Sequence, residues 1–347
     1  MLVDSPPDER AAAPAARPGG GGKRAAGLVV SAAVLAVVAL ASIAVGAKEL
    51  SPAEVWHGLF QDSGTYGDVV VGERLSRTVL GLLAGAALGL SGAVLQALTR
   101  NPLADPGILG INAGASAAVV TAITYFGVTS LSGYVWFAFL GAAAVGALVW
   151  FLGGSRGATP VRLALAGTAI SAALYGYLQA VMIMDDAALG RMRFWTVGSL
   201  ASATHGTIAQ VLPFLAAGSA LALLLARPLN AMAMGDDTAR ALGADPDRTR
   251  ALAMLAATVL SGAATAACGP IVFVGLMVPH AVRSFTGPDL RWILPYATVL
   301  SPVLLLGADV VGRIVARPAE LQVGVVTAVL GGPVFILLVR RRRATQL

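Results

Sequence analysis

Long uncharged apolar runs alternate with short polar segments along most of the chain. The runs fall roughly at 28–47, 78–99, 107–126, 134–152, 163–184, 207–226, 251–268, 271–282, 293–312 and 321–339, ten in all. At about 1.5 Å per helical residue, some twenty apolar residues cover a hydrocarbon layer of roughly 30 Å. The pattern predicts an all-α integral membrane protein of about ten transmembrane helices. The run at 271–282 is the shortest and ends in His280 and Arg283, which suits a longer helix with a wet end or a re-entrant segment. In the second run Gly81, Gly85, Gly89 and Gly92 recur close to one stripe, where a neighbouring backbone can approach closely. Glycine is also common in transmembrane helices in general.

Residues 1–26 are mostly Pro, Ala, Gly and charged residues and predict a disordered cytoplasmic tail, leaving 27–343 as the transmembrane domain. Lys23 and Arg24 before the first run, with Val45-Gly46-Ala47 after it, also fit a secretory signal with a cleavage site. The run itself is long enough to span. Only 12% of the 347 residues are charged and mean hydropathy is +0.78, against about 25% charged in a soluble domain.

A formal charge of +6 could suggest nucleic acid, but the distribution of the cations explains it as an orientation bias. An even number of crossings puts both termini on one side. With the termini cytoplasmic, the outer side holds only Lys48, Arg74, Arg77, Arg191, Arg193, Arg313 and Arg317 of the 24 Lys and Arg residues. That is the positive-inside pattern. The five tryptophans stand at or beyond run ends, as in interfacial aromatic belts.

Candidate chemistry is sparse. There is no G-x-x-x-x-G-K-[ST] motif, so the chain does not hold ATP through a P-loop. His57, His205 and His280 are scattered and Cys268 is the single cysteine, so no metal site is expected and no internal disulfide is possible. A proton- or ion-coupled carrier keeps costly ionisable groups inside the bilayer. Asp309 is the one carboxylate within a run, near its outer end. The energy source is therefore expected on a partner.

Three polar stretches remain. The segment 227–250, RPLNAMAMGDDTARALGADPDRTR, is too polar for lipid. Asp236 and Asp237 suit a helix start, Gly243 a C-terminal cap, and Pro246 blocks continuation. A short helix results, fit either to dock in a groove of another protein or to serve as a solvated connector. On the outer side Arg74, Arg77 and Arg313 mark a rim, where they can snorkel or meet acids on a docking protein. The turns at Asn101-Pro102 and Thr159-Pro160 sit at the inner mouth.

RLSR at 74–77, GAALGLSGAVLQALTRNPLADPGILG at 85–110, GDDTARALG at 235–243, GLMVPHAVR at 275–283 and AELQVGVVTAVLGGPVF at 319–335 resemble the FecCD-type permeases of bacterial ABC importers, which carry ferric siderophores, cobalamin or haem. The likeness implies a permease subunit of the bacterial inner membrane working by alternating access at a permease dimer. The second subunit would be another copy or a homologue. ATP and Mg would bind a separate cytoplasmic ATPase, coupled through Asp237, Ala239, Arg240, Leu242 and Gly243, with 280–291 supporting the same surface. It also implies docking of an extracytoplasmic substrate-binding protein on Arg74, Arg77 and Arg313. An inner gate would involve Asn101, Pro102, Thr159 and Pro160. Gln322 departs from the proline frequent there in the family. The permease would bind no cofactor itself, and ferric siderophore is the expected cargo, with cobalamin or haem as alternatives. A self-contained channel or secondary transporter, or a membrane-embedded enzyme, are the competing classes.

Overall fold

The computed structural model describes residues 20–61, 64–153 and 160–344. In chain order the helices are α1 (Gly20–Ala44), α2 (Pro52–Phe60), α3 (Tyr66–Thr99), a 3-10 turn (Pro106–Leu109), α4 (Ile111–Phe126), α5 (Leu131–Leu152), α6 (Pro160–Met184), α7 (Asp186–Trp195), α8 (His205–Leu224), α9 (Ala226–Ala233), α10 (Asp236–Ala241), α11 (Pro246–Cys268), α12 (Val274–Thr286), α13 (Leu290–Val315) and α14 (Val323–Ala344). No strand occurs among the described residues. Seven helices are long and apolar enough to cross a membrane, and 111–126 and 323–336 form two shorter apolar ones.

The bundle is organised around α3, which packs against α13, α11, α12 and α8. Its 34 residues extend about 51 Å, so it outruns a hydrocarbon layer of about 30 Å. The glycine stripe is a packing face. A Cβ on Gly85 would stand 2.6 Å from the Pro302 Cα, and one on Gly92 would collide with the Gly275 backbone. Bare backbone at those two points lets α13 and α12 lie directly on α3. Small residues do the same in α11, where Ala256, Ala257, Ser261, Ala263 and Ala264 are buried. By contrast α1 and α6 keep most of their apolar surface exposed, as lipid- or partner-facing helices should.

Two expectations are refined. The helix α1 begins at Gly20, so residues 20–26 extend the first span rather than belong to the disordered tail. Lys23, Arg24, Ala25 and Ala26 are good helix formers, and the Tyr296 hydroxyl donates to the Arg24 carbonyl at 2.6 Å. Residues 1–19 lie outside the described residues. The short run at 271–282 becomes α12, whose 13 residues cover only about 20 Å. It starts partway along α3, where Gly275 faces Leu88 and Gly92.

Candidate functional site

The polar chemistry gathers at the two ends of the bundle. At one end α9, α10 and the start of α11 form a platform. Gly235, at φ +107, breaks the chain between α9 and α10, so the acids Asp236 and Asp237 fall in the first turn of α10. Asp236 is held between Arg250 and Arg100. The hydrogen bond from Arg250, and the positive field of Arg250, Arg100 and Arg240, keep its carboxyl below the usual range. Arg100, the left-handed cap of α3, also donates to the Met232 carbonyl, which ties this platform to the central helix.

Ala239 is wholly buried beneath the platform. Asp237, Arg240 and Leu242 stand outward, with Leu242 62% exposed. Gly243 sits at φ +82 with open space around it. Its N–H donates to the Arg240 carbonyl and that of Ala244 to the Ala239 carbonyl, which closes the helix and leaves Leu242 at its corner. Of the five residues expected to couple, four therefore present themselves outward and Ala239 packs inward. Asn230 of α9 adds a latch that the sequence did not disclose. Its amide donates to Asp289 at 2.7 Å and accepts the Leu290 N–H. Asp289 also accepts the Arg291 backbone N–H and a forked pairing from its guanidinium, and the guanidinium above all brings its carboxyl down to about 2.

At the other end, Arg74, Arg77 and Arg313 are 7%, 8% and 1% exposed. They do not form an open rim of free cations. Arg74 donates to the Ile43, Ala44 and Lys48 carbonyls. Arg313 donates to the Ser42 and Val45 carbonyls at 2.9 Å. The Ser42 to Val45 carbonyls lie at the C-terminal end of α1, where the last turn has no onward intrahelical donors, and α1 carries no basic residue there; Lys48 follows in the link to α2. Two arginines from α3 and α13 thus cap α1 and complement its dipole. Charge is balanced by Asp309, wholly buried, which accepts a two-pronged bond from Arg77 at 3.0 and 2.7 Å and an ion pair from Arg313 at 3.1 Å. Glu320 takes the remaining side of Arg77 at 2.6 Å and is itself 35% exposed at the side chain. The Asp309–Arg313 spacing of four within one helix was the visible sign of this cluster.

Between the ends lie cavities. Asn101 and Asp105 share one of about 380 Å³ with Val161 and Leu165 of α6. The structure thus brings the Asn101-Pro102 turn beside the start of α6, where Pro160 is the first residue. Thr159 lies outside the described residues. Asn112, Ser116 and Tyr175 line another of about 450 Å³, against Val325 and Val329 of α14. No group of three metal-ligating side chains occurs among the described residues.

A model of the FecCD transport family matches residues 34–341. The ferric enterobactin transport system permease protein FepD of Escherichia coli (strain K12) is 48% identical over 87% of this chain and 91% of its own length. The Fe(3+)-citrate import system permease protein YfmD of Bacillus subtilis (strain 168) is 39% identical over 87% and 90%. Among solved structures, a metal-chelate type ABC transporter in an inward-facing conformation superposes with a TM-score of 0.81. It is 28% identical and covers 91% of this chain and 99% of that one.

Proposed function

The chain belongs to the FecCD transport family and is a permease subunit of a metal-chelate ABC importer; on that footing we propose that its cargo is a ferric siderophore. The observation that carries this is the 48% identity to the ferric enterobactin permease over nearly the full length of both chains. Haem and cobalamin form the second reading, because the haemin permease HmuU of Yersinia pestis and the cobalamin permease BtuC of Halobacterium salinarum are 37% and 38% identical.

In this reading ten helices cross the bacterial cytoplasmic membrane: α1, α3, α4, α5, α6, α8, α11, α12, α13 and α14. The α10 end, with both termini, faces the cytoplasm, as the distribution of lysine and arginine supports. A second permease copy or homologue completes the pathway. The outward residues Asp237, Arg240, Leu242 and Gly243 rest on a separate ATPase that binds ATP and Mg. The Arg313 end receives the substrate-binding protein. Because Arg74, Arg77 and Arg313 are already engaged, docking through them is an exchange. A carboxylate of the binding protein replaces Glu320, the exposed partner of Arg77. Asn101, Pro102, Thr159 and Pro160 form the inner gate. ATP binding drives transport only through contacts that differ between permease states, and the α10 platform supplies such contacts.

The test is uptake in a deletion strain and its complement, using labelled ferric siderophores, haem and cobalamin under iron limitation. Loss of ferric siderophore uptake alone, restored by the gene, is the expected result. Selective loss of haem or cobalamin uptake would move the cargo to the second reading. Failure of the tagged permease to co-purify an ATPase would reject the coupling scheme.

A further inference from the structure

At the Arg313 end, a cavity of about 450 Å³ opens between α5, α7 and the start of α14. Tyr134, Phe194 and Trp195 supply aromatic wall, and Arg191 is the one charged residue among those lining it. The Tyr134 hydroxyl is committed to the Thr129 carbonyl at 3.2 Å, so this residue offers its ring. Arg193 lies over the Phe194 ring at 4.6 Å and brings a second cation to the same wall. Among the described residues the Arg191 guanidinium makes no hydrogen bond or ion pair. Its charge reaches Asp185 only as a weak field, and that carboxylate already accepts from Thr124 and from the Ala187 and Ala188 N–H groups.

The contrast with Arg74, Arg77 and Arg313 is chemical. Those guanidiniums are spent on carbonyls and carboxylates of this chain, whereas Arg191 has its donors to spare beside three rings. The neighbouring cavity lined by Thr196, Val197 and Val325 has no charged lining residue. An anionic guest is thus held at the mouth and not trapped by charge further in. Among iron(III) chelates, those that bind the metal through catecholate or phenolate oxygens carry both negative charge and aryl rings. Hydroxamates and aliphatic carboxylates lack the rings.

We propose that this cavity is a receiving site for an anionic, aryl-bearing iron chelate, with Arg191 as its charge contact and Phe194 and Trp195 as its ring contacts. The inference rests on the import reading above and narrows its substrate class. Charge-assisted bonds from a guanidinium and stacking on an aromatic face supply the affinity.

The experiment uses the whole importer in cells, with iron supplied as a tris-catecholate chelate or as an aliphatic trihydroxamate chelate. Arg191→Gln should lower initial uptake of the catecholate chelate about tenfold, equivalent to ~1.4 kcal/mol. Arg191→Lys should retain more uptake than Arg191→Gln, because the charge survives and the planar fork does not. Phe194→Leu, at an exposed position, should lower catecholate uptake without altering the amount of permease in the membrane. Docking of the loaded binding protein on the purified permease–ATPase complex should be unchanged by all three. Unchanged catecholate uptake in both Arg191→Gln and Phe194→Leu would overturn the proposal. So would an equal loss for the trihydroxamate, or a parallel loss of docking, which would make the cavity a seat for the binding protein. Uptake of the trihydroxamate alone by the unaltered importer would overturn this inference and leave the siderophore reading standing; uptake of neither chelate, with haem or cobalamin imported instead, would end both.

Discussion

The two ends of the bundle use the same residue types in opposite ways. At the Arg313 end the guanidiniums are buried and engaged by groups of this chain, and they serve to hold α1, α3 and α13 together. At the α10 end the charges of Asp237 and Arg240 pair with each other in the open, while Asp236 beside them is tied down by Arg250. Burial makes a charge structural, because removing one partner strands the other in a medium that cannot solvate it. Exposure makes a charge available, because water already screens it and its loss costs the fold little. An arginine count alone does not separate these cases.

The contrast can be tested by substitution. Asp309→Asn leaves Arg77 and Arg313 buried against a neutral group and is expected to destabilise the permease by about 3–5 kcal/mol, read as a fall in thermal stability in detergent. A variant as stable as the parent would show that the cluster is not the clamp described. Gly243→Pro combines a φ of +82 with a ring that requires about −65° and removes an N–H in use. The strain, about 1–3 kcal/mol, is confined to an exposed turn. Uptake should be lost while the complex still hydrolyses ATP, and normal uptake would refute the coupling role.

Asp289→Asn is expected to cost about 1–2 kcal/mol at neutral pH, as a weakened cap and latch. Because the Asp289 carboxyl sits at about 2 in the fold and near 3.9 when unfolded, its contribution is present above about pH 4 and lost as pH falls toward 2. Melting curves of parent and variant should therefore converge in acid, and a constant gap would assign the effect to something other than this charge. Leu242→Ala, at a 62% exposed site, should change stability by less than about 0.5 kcal/mol yet weaken ATPase docking about tenfold, a loss typical of a buried interface anchor. Unchanged docking would return this helix to the status of a solvated connector.

Much of the fold was legible because lipid imposes a simple rule: a run without charge, long enough to span, becomes a helix. Each of the ten apolar runs corresponds to a helix, and the glycine stripe of α3 lies where its spacing placed it. What the pattern could not give was depth and pairing. The short run at 271–282 was ambiguous because its partner, the bare backbone at Gly92, lies far away in sequence. The α1 boundary was misjudged because tail-like composition and helix continuation look alike at Lys23 to Ala26. In the site, the short helix that begins at Asp236 and is capped at Gly243 followed from local polarity and cap signals. The inward turn of Ala239 and the Asn230–Asp289 latch depend on neighbours distant in the chain. So does the capping of α1 by Arg74 and Arg313, since hydrophobicity records that an arginine is near an end and not which carbonyl it meets.

The helix α13 joins the two ends, with Asp289 at its first cap and Asp309 and Arg313 near its last turn. It also carries Pro295 and Pro302 in its interior, and each removes a rung of the hydrogen-bond ladder. Mechanically it is a jointed strut. Its far segment is bolted to α3 and α1 by Asp309 and Arg313, its near segment is pinned to α9 by Asn230, and its compliance is concentrated at the prolines. If α9 is tilted, bending is expected at Pro302, which lies against Gly85, the place where the ladder is already broken.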